Sequence, residues 1–139
     1  MSYASRRSTY LEAEVMSCPP EWLVPLLYEH LLVNLRRAAV QIEARDIEGK
    51  CASLEKASSI VLELAGTLNH EEGGELAGRL SALYGFFAGE ILTIGRTLDH
   101  ARLEQLIALV TELHEGWVQA AEQVAPRGAR QAGTRFAQT

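Results

Sequence analysis

The sequence predicts an all-α protein, an antiparallel up-down-up-down four-helix bundle with an N-terminal arm or short extra helix. Three observations support this prediction. Four segments of roughly 20–25 residues carry apolar residues at spacings of three and four, the period of one helix face. Short polar breaks separate these segments, and a chain of 139 residues suits one domain with a single core.

The polar, glycine-rich break at residues 68–76 separates the second and third segments. Apolar residues recur on both sides of it: Leu54, Ala57, Val61, Leu64 and Leu68 before it, and Leu76, Leu80, Leu83, Phe87, Ile91, Ile94 and Leu98 after it. Neither segment can bury its stripe alone, so we expect the two to form a helical hairpin. The third helix is expected to follow Gly73-Gly74 and to end near Thr97.

The first helix has a regular apolar stripe that consists of Val24, Tyr28, Leu31, Leu35, Ala38 and Ile42. Pro20 suits a first helical turn, where its missing N–H needs no partner. Pro25 is anomalous, because a proline inside a helix removes a hydrogen bond and costs about 3 kcal/mol. Either the helix bends at Pro25, or regular helix starts there after a looser turn over residues 20–24.

Two aspartates mark the starts of later helices. Asp46 and Asp99 are expected to cap the second and fourth helices, because an aspartate can accept hydrogen bonds from the first N–H groups. The second helix should run to about Leu68, and Pro126 should stop the fourth. The apolar stripe of the fourth helix consists of Leu103, Leu106, Val110, Leu113, Trp117 and Val124.

The two ends of the chain differ in charge from its middle. We expect residues 1–9 to be disordered, 10–19 to form the arm, 20–125 the bundle, and 126–139 a flexible basic tail. Five arginines of the chain's 13 basic residues lie in residues 1–9 and 126–139, which leaves 8 basic and 18 acidic residues between them. This body, with a net charge of −10, argues against nucleic acid as the main partner.

The cysteines and the hydropathy pattern indicate the compartment. Cys18 and Cys51 have neither metal-ligand spacing nor the density of a disulfide scaffold, so we expect free thiols in a reducing compartment. Residues 1–15 lack the apolar stretch of a signal peptide, and no segment is apolar enough for a membrane span. We therefore expect a soluble, cytoplasmic protein without membrane insertion.

The sequence contains no pattern typical of catalysis, and no cofactor is expected. A di-iron centre in a helical bundle requires Glu-x-x-His pairs, and no histidine of this chain follows a glutamate at that spacing. His114-Glu115 lacks the second histidine of a zinc motif, since Val118 stands in its place. The prediction is therefore no metal site and no enzyme.

Residues outside the core stripes indicate a binding surface. Opposite the stripe of the third helix, the residues are nearly all small: Gly74, Gly78, Ser81, Ala82, Gly85 and Gly89. Three large apolar residues, Leu62, Phe86 and Leu92, also lie off the stripes. Each helical glycine costs about 1 kcal/mol relative to alanine. Either another segment approaches this face closely, or the glycines are tolerated surface residues or accommodate the N-terminal arm.

From about Tyr10 to Val124, the order of residues resembles that of the flagellar secretion chaperone FliS family. The resemblance rests on Tyr10, Pro20-Glu21, Leu26-Leu27-Tyr28, Asp46, Lys56-Ala57, Leu68-Asn69, Gly73-Gly74-Glu75-Leu76-Ala77, Leu83-Tyr84, Asp99 and Trp117. The leucine-tyrosine pairs of the first and third helices and the late tryptophan are its most specific parts. Pro20, Tyr28, Leu83, Tyr84 and Trp117 are interpreted as structural signature residues.

The resemblance implies a non-enzymatic export chaperone in the cytoplasm. Its partners are expected to be the disordered C-terminal segment of flagellin, the client, and the flagellar type III export gate. The client becomes helical around the bundle, cannot polymerise early, and displaces the arm near Tyr10. The expected partner-binding residues are Tyr10, Leu62, Gly78, Ala82, Gly85, Phe86, Gly89 and Leu92. The alternative is a helical adaptor that binds another flagellar regulatory protein.

Overall fold

The structure, a computed structural model, describes residues 18–126. It contains four α-helices: α1 (Leu23–Glu43), α2 (Ile47–Gly66), α3 (His70–Thr97) and α4 (His100–Val124). A short 3-10 turn, Pro20–Trp22, precedes α1. The predicted all-α bundle is confirmed. The segment expected to be disordered, most of the expected arm and nearly all of the expected basic tail lie outside the described residues.

The four helices pack in a square. α1 packs mainly against α2 and α4, and α3 packs against the same two helices, so α1 and α3 are diagonal to each other. Only two or three residues join one helix to the next. Such short connections make consecutive helices antiparallel. Each helix therefore has one face in the core and one face directed away from it.

The chain enters the bundle through a tight turn. Pro20–Trp22 form the 3-10 turn, and α1 begins at Leu23. Pro25 is the third residue of α1, where a backbone N–H has no partner within the helix. The proline therefore removes no helical hydrogen bond. Of the two alternatives for Pro25, a looser turn followed by regular helix is closer to the structure than a bent helix. The regular helix begins at Leu23, two residues before Pro25.

Both predicted aspartate caps are present. The Asp46 carboxylate accepts a hydrogen bond from the Gly49 N–H at 3.0 Å, and the Asp99 carboxylate accepts one from the Arg102 N–H at 3.0 Å. A Cβ at Gly49 would overlap the Asp46 carboxylate. Glycine at this position therefore makes room for the cap of α2. α2 ends at Gly66, slightly before the predicted end at Leu68.

The start of α3 differs from the prediction. Helical structure begins at His70, where the Asn69 side chain accepts hydrogen bonds from the N–H groups of Glu71 and Glu72, both at 3.1 Å. At Gly74 the backbone leaves the helical conformation, with φ 51° and ψ −122°. Glycine adopts a positive φ without steric cost. The predicted break is therefore a kink that sets one helical turn, residues 70–73, apart from the rest of α3.

The core contains residues from all four helices. Its largest fully buried side chains are Tyr28, Phe87, Leu31, Leu35, Leu64, Ile94, Leu103, Val61 and Val110. A smaller cluster closes the end where the chain enters: Trp22 packs against Ala121 and Ala125, and its indole N–H donates to the Ala125 carbonyl at 2.7 Å. This hydrogen bond fastens the entry turn to the end of α4.

Three residues of the predicted core stripes are exposed instead. Leu76 directly follows the kink at Gly74, and Ala77 is buried beside it. Leu98 is the C-cap of α3, where a positive φ of 57° ends the helix. Val124 points to solvent because the last turn of α4 directs Ala121 and Ala125 towards Trp22. All three residues lie near the ends of helices, where the described part of the chain leaves them uncovered.

Candidate partner-binding surface

The outer side of α3 carries the predicted surface of small residues, here called the small-residue face: Gly78, Ser81, Ala82, Gly85 and Gly89. All five residues are exposed. Gly85 and Gly89 lie on the opposite side of α3 from the buried Phe87 and Ile91, as the helical period requires. With a rise of 1.5 Å per residue, the stretch from Gly78 to Leu92 extends about 21 Å along the helix.

Nothing in the described part of the chain covers this face. A Cβ built at Gly78, Gly85 or Gly89 would meet no other atom within 4 Å. Close packing inside residues 18–126 therefore does not explain the glycines. The alternative that these glycines accommodate the N-terminal arm involves residues outside the described part of the chain. The predicted site residue Tyr10 also lies outside that part.

Large apolar side chains lie along and beside the small-residue face. Leu92 is 72% exposed on α3, Phe86 is 50% exposed on the same helix, and Leu62 is 71% exposed on α2. Exposure of single apolar residues is ordinary, but a cluster of them on one side of a protein is typical of an interaction surface. The prediction that these three side chains remain outside the core is confirmed.

Leu62 lies on the outer side of α2, in the half directed towards α3. The Lys50 side chain donates a hydrogen bond to the Gly95 carbonyl of α3 at 3.1 Å, whereas Ser53 bonds to Gln41 of α1. Helical projection places Leu62 about 120° from Lys50 and about 180° from Ser53, so its side chain points outward from the bundle, nearer to the α3 side than to the α1 side. Leu62 lies 12 residues after Lys50, and α2 and α3 run in opposite directions. Leu62 is therefore level with the residue 12 positions before Gly95, which is Leu83 in the middle of α3.

Phe86 borders a groove between α3 and α4 that the sequence did not indicate. The groove has a volume of about 440 Å³ and is lined by Phe86, Glu90, Asp99, Ala101, Arg102, Gln105, Leu106 and Leu109. Arg102 bridges the two helices through two hydrogen bonds to the Glu90 carboxylate, at 2.6 and 3.1 Å. The hydrogen bond from Arg102 lowers the pKa of Glu90. The pair joins the two helices beside this groove.

The apolar interior is also open near the start of α3. Leu76 is exposed there, although the helical period places it on the core side of α3. Leu113 and Trp117 of α4 are only half-buried. Cys18, the first described residue, packs against the cluster around Trp22 at the same end of the bundle. Cys18 and the exposed Leu76 are therefore at the same end of the bundle.

The signature residues hold the bundle together. Tyr28 of α1 and Tyr84 of α3 are buried, and the Tyr28 hydroxyl donates to the Tyr84 hydroxyl at 3.2 Å. The Tyr28 ring lies 6.3 Å from that of Trp117, between centroids. Burial raises the pKa of both tyrosines. Leu83 is half-buried, and Pro20 starts the 3-10 turn. Tyr28 and Tyr84 are core residues, and the structural role of the five signature residues as a set stays a prediction.

The histidines and acidic residues contact each other between helices. His100 lies 3.2 Å from the Glu43 carboxylate of α1, and His114 lies 3.8 Å from that of Glu29, so both histidines link α4 to α1. Within residues 18–126, no three His, Cys, Asp or Glu residues are placed to hold a metal ion. None of the described helices has an apolar stretch long enough to cross a bilayer.

Comparison with known proteins identifies the family. The family model described as flagellar protein FliS matches residues 2–124. The flagellar secretion chaperone FliSB of Pseudomonas aeruginosa is 33% identical over 107 residues, which cover 77% of this chain and 85% of the relative. The flagellar secretion chaperone FliS of Salmonella typhimurium is 30% identical over 122 residues, 87% of each chain.

A third relative gives the same result. The flagellar secretion chaperone FliS of Bacillus subtilis is 30% identical over 120 residues, 86% of this chain and 89% of the relative. These relatives are named as chaperones, which confirms the expectation that the chain is not an enzyme. The match spans the whole bundle and agrees with the resemblance found in the sequence. The chain belongs to the flagellar protein FliS family.

Proposed function

We propose that this protein is a cytoplasmic export chaperone that binds the disordered C-terminal segment of flagellin on the outer side of α3. The observation that carries the proposal is the small-residue face, which is open to solvent and bordered by Leu62, Phe86 and Leu92. The names of the relatives support the same role, because each is a flagellar secretion chaperone.

The proposed mechanism is coupled folding and binding. A disordered client loses conformational entropy when it becomes helical, and burial of its apolar side has to offset that cost. Covering the exposed parts of Leu62, Phe86 and Leu92 contributes about 1–2 kcal/mol for each side chain. The glycines allow the client backbone to approach α3 closely. A segment of about 14 residues can follow the full 21 Å of this face as a helix.

Client binding and export are linked in this proposal. A flagellin subunit whose C-terminal segment is helical on the chaperone cannot use that segment to join another subunit. The complex therefore keeps flagellin monomeric until it reaches the type III export gate. We propose that delivery to the gate follows from this protection, and that the chaperone does not leave the cytoplasm.

The N-terminal arm competes with the client in this scheme. Cys18 packs against the cluster around Trp22, at the end of the bundle where α4 ends and α3 begins, so segment 10–17 joins the bundle at the end that also holds the exposed Leu76. We propose that the arm near Tyr10 covers part of the apolar surface while the chaperone is empty. The client then gains the surface by displacing the arm.

A titration with a flagellin peptide tests the proposal. A synthetic C-terminal segment of flagellin is titrated into the full chain by calorimetry, with circular dichroism recorded on the same mixtures. The proposal predicts saturable binding, a gain in helix content, and a negative heat-capacity change from buried apolar surface. Absence of binding, together with binding of a flagellar regulatory protein to the same face, would favour the adaptor alternative.

A further inference from the structure

A second exposed helix face lies on the opposite side of the bundle. The α1 outer face, defined here as Val33, Arg36, Arg37 and Val40, points away from the core residues Leu31, Leu35 and Ala38. Val40 is 67% exposed and Val33 is 42% exposed. The two valines are seven residues apart, so they form an apolar seam along two helical turns. The arginines lie between them, one on each side of the seam.

The two arginines form no ion pair with any carboxylate of the described residues. Among residues 18–126, neither Arg36 nor Arg37 lies within ion-pair distance of an acidic side chain. The acidic side chains of α1 are directed towards α4, since Glu43 contacts His100 and Glu29 contacts His114. An apolar seam flanked by two uncompensated guanidinium groups is complementary to a helix that has an apolar seam and acidic flanks.

The distribution of charge over the bundle is consistent with an acidic partner at this position. Residues 18–29, 60–82 and 112–126 form the end that contains the entry turn, and they hold nine glutamates and one arginine. The remaining described residues, 30–59 and 83–111, hold seven acidic and seven basic residues. The α1 outer face lies in this balanced half, away from the negative charge that would repel an acidic helix.

The position of α1 leaves this face accessible while α3 is occupied. α1 and α3 are diagonal in the square of helices, so their outer faces point in opposite directions. We propose that the α1 outer face docks an acidic amphipathic helix of a second protein, at the same time as a client occupies α3. The proposal for α1 rests on its own seam and charges and does not depend on the identity of the client.

A designed peptide pair tests the proposal. One labelled peptide is a helix with leucines at heptad spacing and glutamates on both flanks, and the other has uncharged glutamines in place of the glutamates. Fluorescence anisotropy measures the binding of each peptide to the full chain. The acidic peptide should bind, and the glutamine peptide should bind at least about tenfold more weakly. Raising the salt concentration should weaken the acidic complex.

Matched variants locate the binding site. Arg36→Glu combined with Arg37→Glu should weaken binding of the acidic peptide at least about tenfold, and Val40→Asp should also weaken it. Arg96→Glu and Val124→Asp should leave binding unchanged, because these residues are also exposed but lie on other faces. Circular dichroism verifies that all variants are folded.

Several outcomes would overturn the inference. They are no binding of the acidic peptide, equal binding of both peptides, or binding that survives the Arg36 and Arg37 changes. Sedimentation of the unmodified chain as a dimer that Val40→Asp converts to a monomer would assign the face to a second copy instead. Loss of peptide binding in Gly85→Leu, a change on α3, would contradict the separation of the two faces.

Discussion

Gly85→Leu should have opposite effects on the stability of the bundle and on client binding. A Cβ at Gly85 meets nothing within 4 Å, so the leucine side chain extends into solvent without displacing any described atom. Leucine is a better helix former than glycine by up to about 1 kcal/mol. The free energy of unfolding should therefore rise by about that amount, which raises the Tm by a few degrees in a domain of this size.

The same side chain should obstruct the client. In the proposed complex the client backbone lies directly against the small-residue face, where an added isobutyl group forces the two helices apart. Overpacking of this kind costs about 1–3 kcal/mol, which corresponds to an affinity loss of about 5–150-fold. Titration calorimetry with the flagellin C-terminal peptide measures the Kd, and thermal melting followed by circular dichroism measures stability.

Gly116→Leu is the matched control. Gly116 is also a helical glycine whose added Cβ would meet nothing within 4 Å, but it lies on α4. The Gly116→Leu variant should show the same rise in the free energy of unfolding, and its Kd for the flagellin peptide should be unchanged. The assignment of the client site to α3 would be refuted if Gly85→Leu bound the peptide as tightly as the unmodified chain. An equal loss of affinity in Gly116→Leu would also refute it.

Three further predictions concern the fold. Gly49→Ala should lower the free energy of unfolding by about 1 kcal/mol in urea titration, because the Cβ displaces the carboxylate that caps α2; Gly116→Ala should raise it, and a gain in both variants would contradict the account. Burial raises the pKa of Tyr28 and Tyr84 above the ordinary value of 10.0. Above pH 10 these tyrosines therefore lose their protons in the unfolded state before they do so in the folded state. Their contribution to the free energy of unfolding should be constant below about pH 10 and should fall above it. Replacing both tyrosines with phenylalanine should reduce this alkaline loss, and an identical pH profile would argue against the assignment. Deletion of residues 1–16 should leave cooperative melting intact, because all contacts between the four helices lie in residues 18–126; loss of the transition would show that the arm is part of the core.

The helical period of the sequence predicted the interior of each helix correctly. Tyr28, Leu64, Phe87 and Val110 occupy core positions, because a period of 3.6 residues fixes the buried side wherever a helix is regular. Aspartate caps were predictable too, since their hydrogen bonds involve residues only three positions apart. The exposed positions of Leu62, Phe86 and Leu92 follow from the same projection.

The ends of helices and the spaces between them were not predictable in this way. The kink at Gly74 sets one turn apart from the rest of α3, and Leu76, on the core side just after it, is left exposed because nothing in the described part of the chain covers it. The groove beside Phe86 depends on how closely α3 approaches α4, and no local pattern encodes that distance. The ion pair between Glu90 and Arg102 has the same origin, because its partners come from different helices.

The proposed client site has been only partly predictable for a related reason. Projection identified which residues of α3 face away from the core, but not what covers them. Gly78, Gly85 and Gly89 proved to be open within the described part of the chain. Whether the arm near Tyr10 reaches them is a property of residues outside that part, and it stays a prediction.

The most direct test of the central claim is co-expression of this chain with the flagellin encoded in the same genome, followed by size-exclusion chromatography. The account predicts a complex of one chaperone and one flagellin that elutes as a single peak. It also predicts that flagellin without its C-terminal segment elutes separately from the chaperone. Separate elution of full-length flagellin, or a complex that survives removal of the segment, would contradict the claim that the outer side of α3 is a surface on which this segment folds.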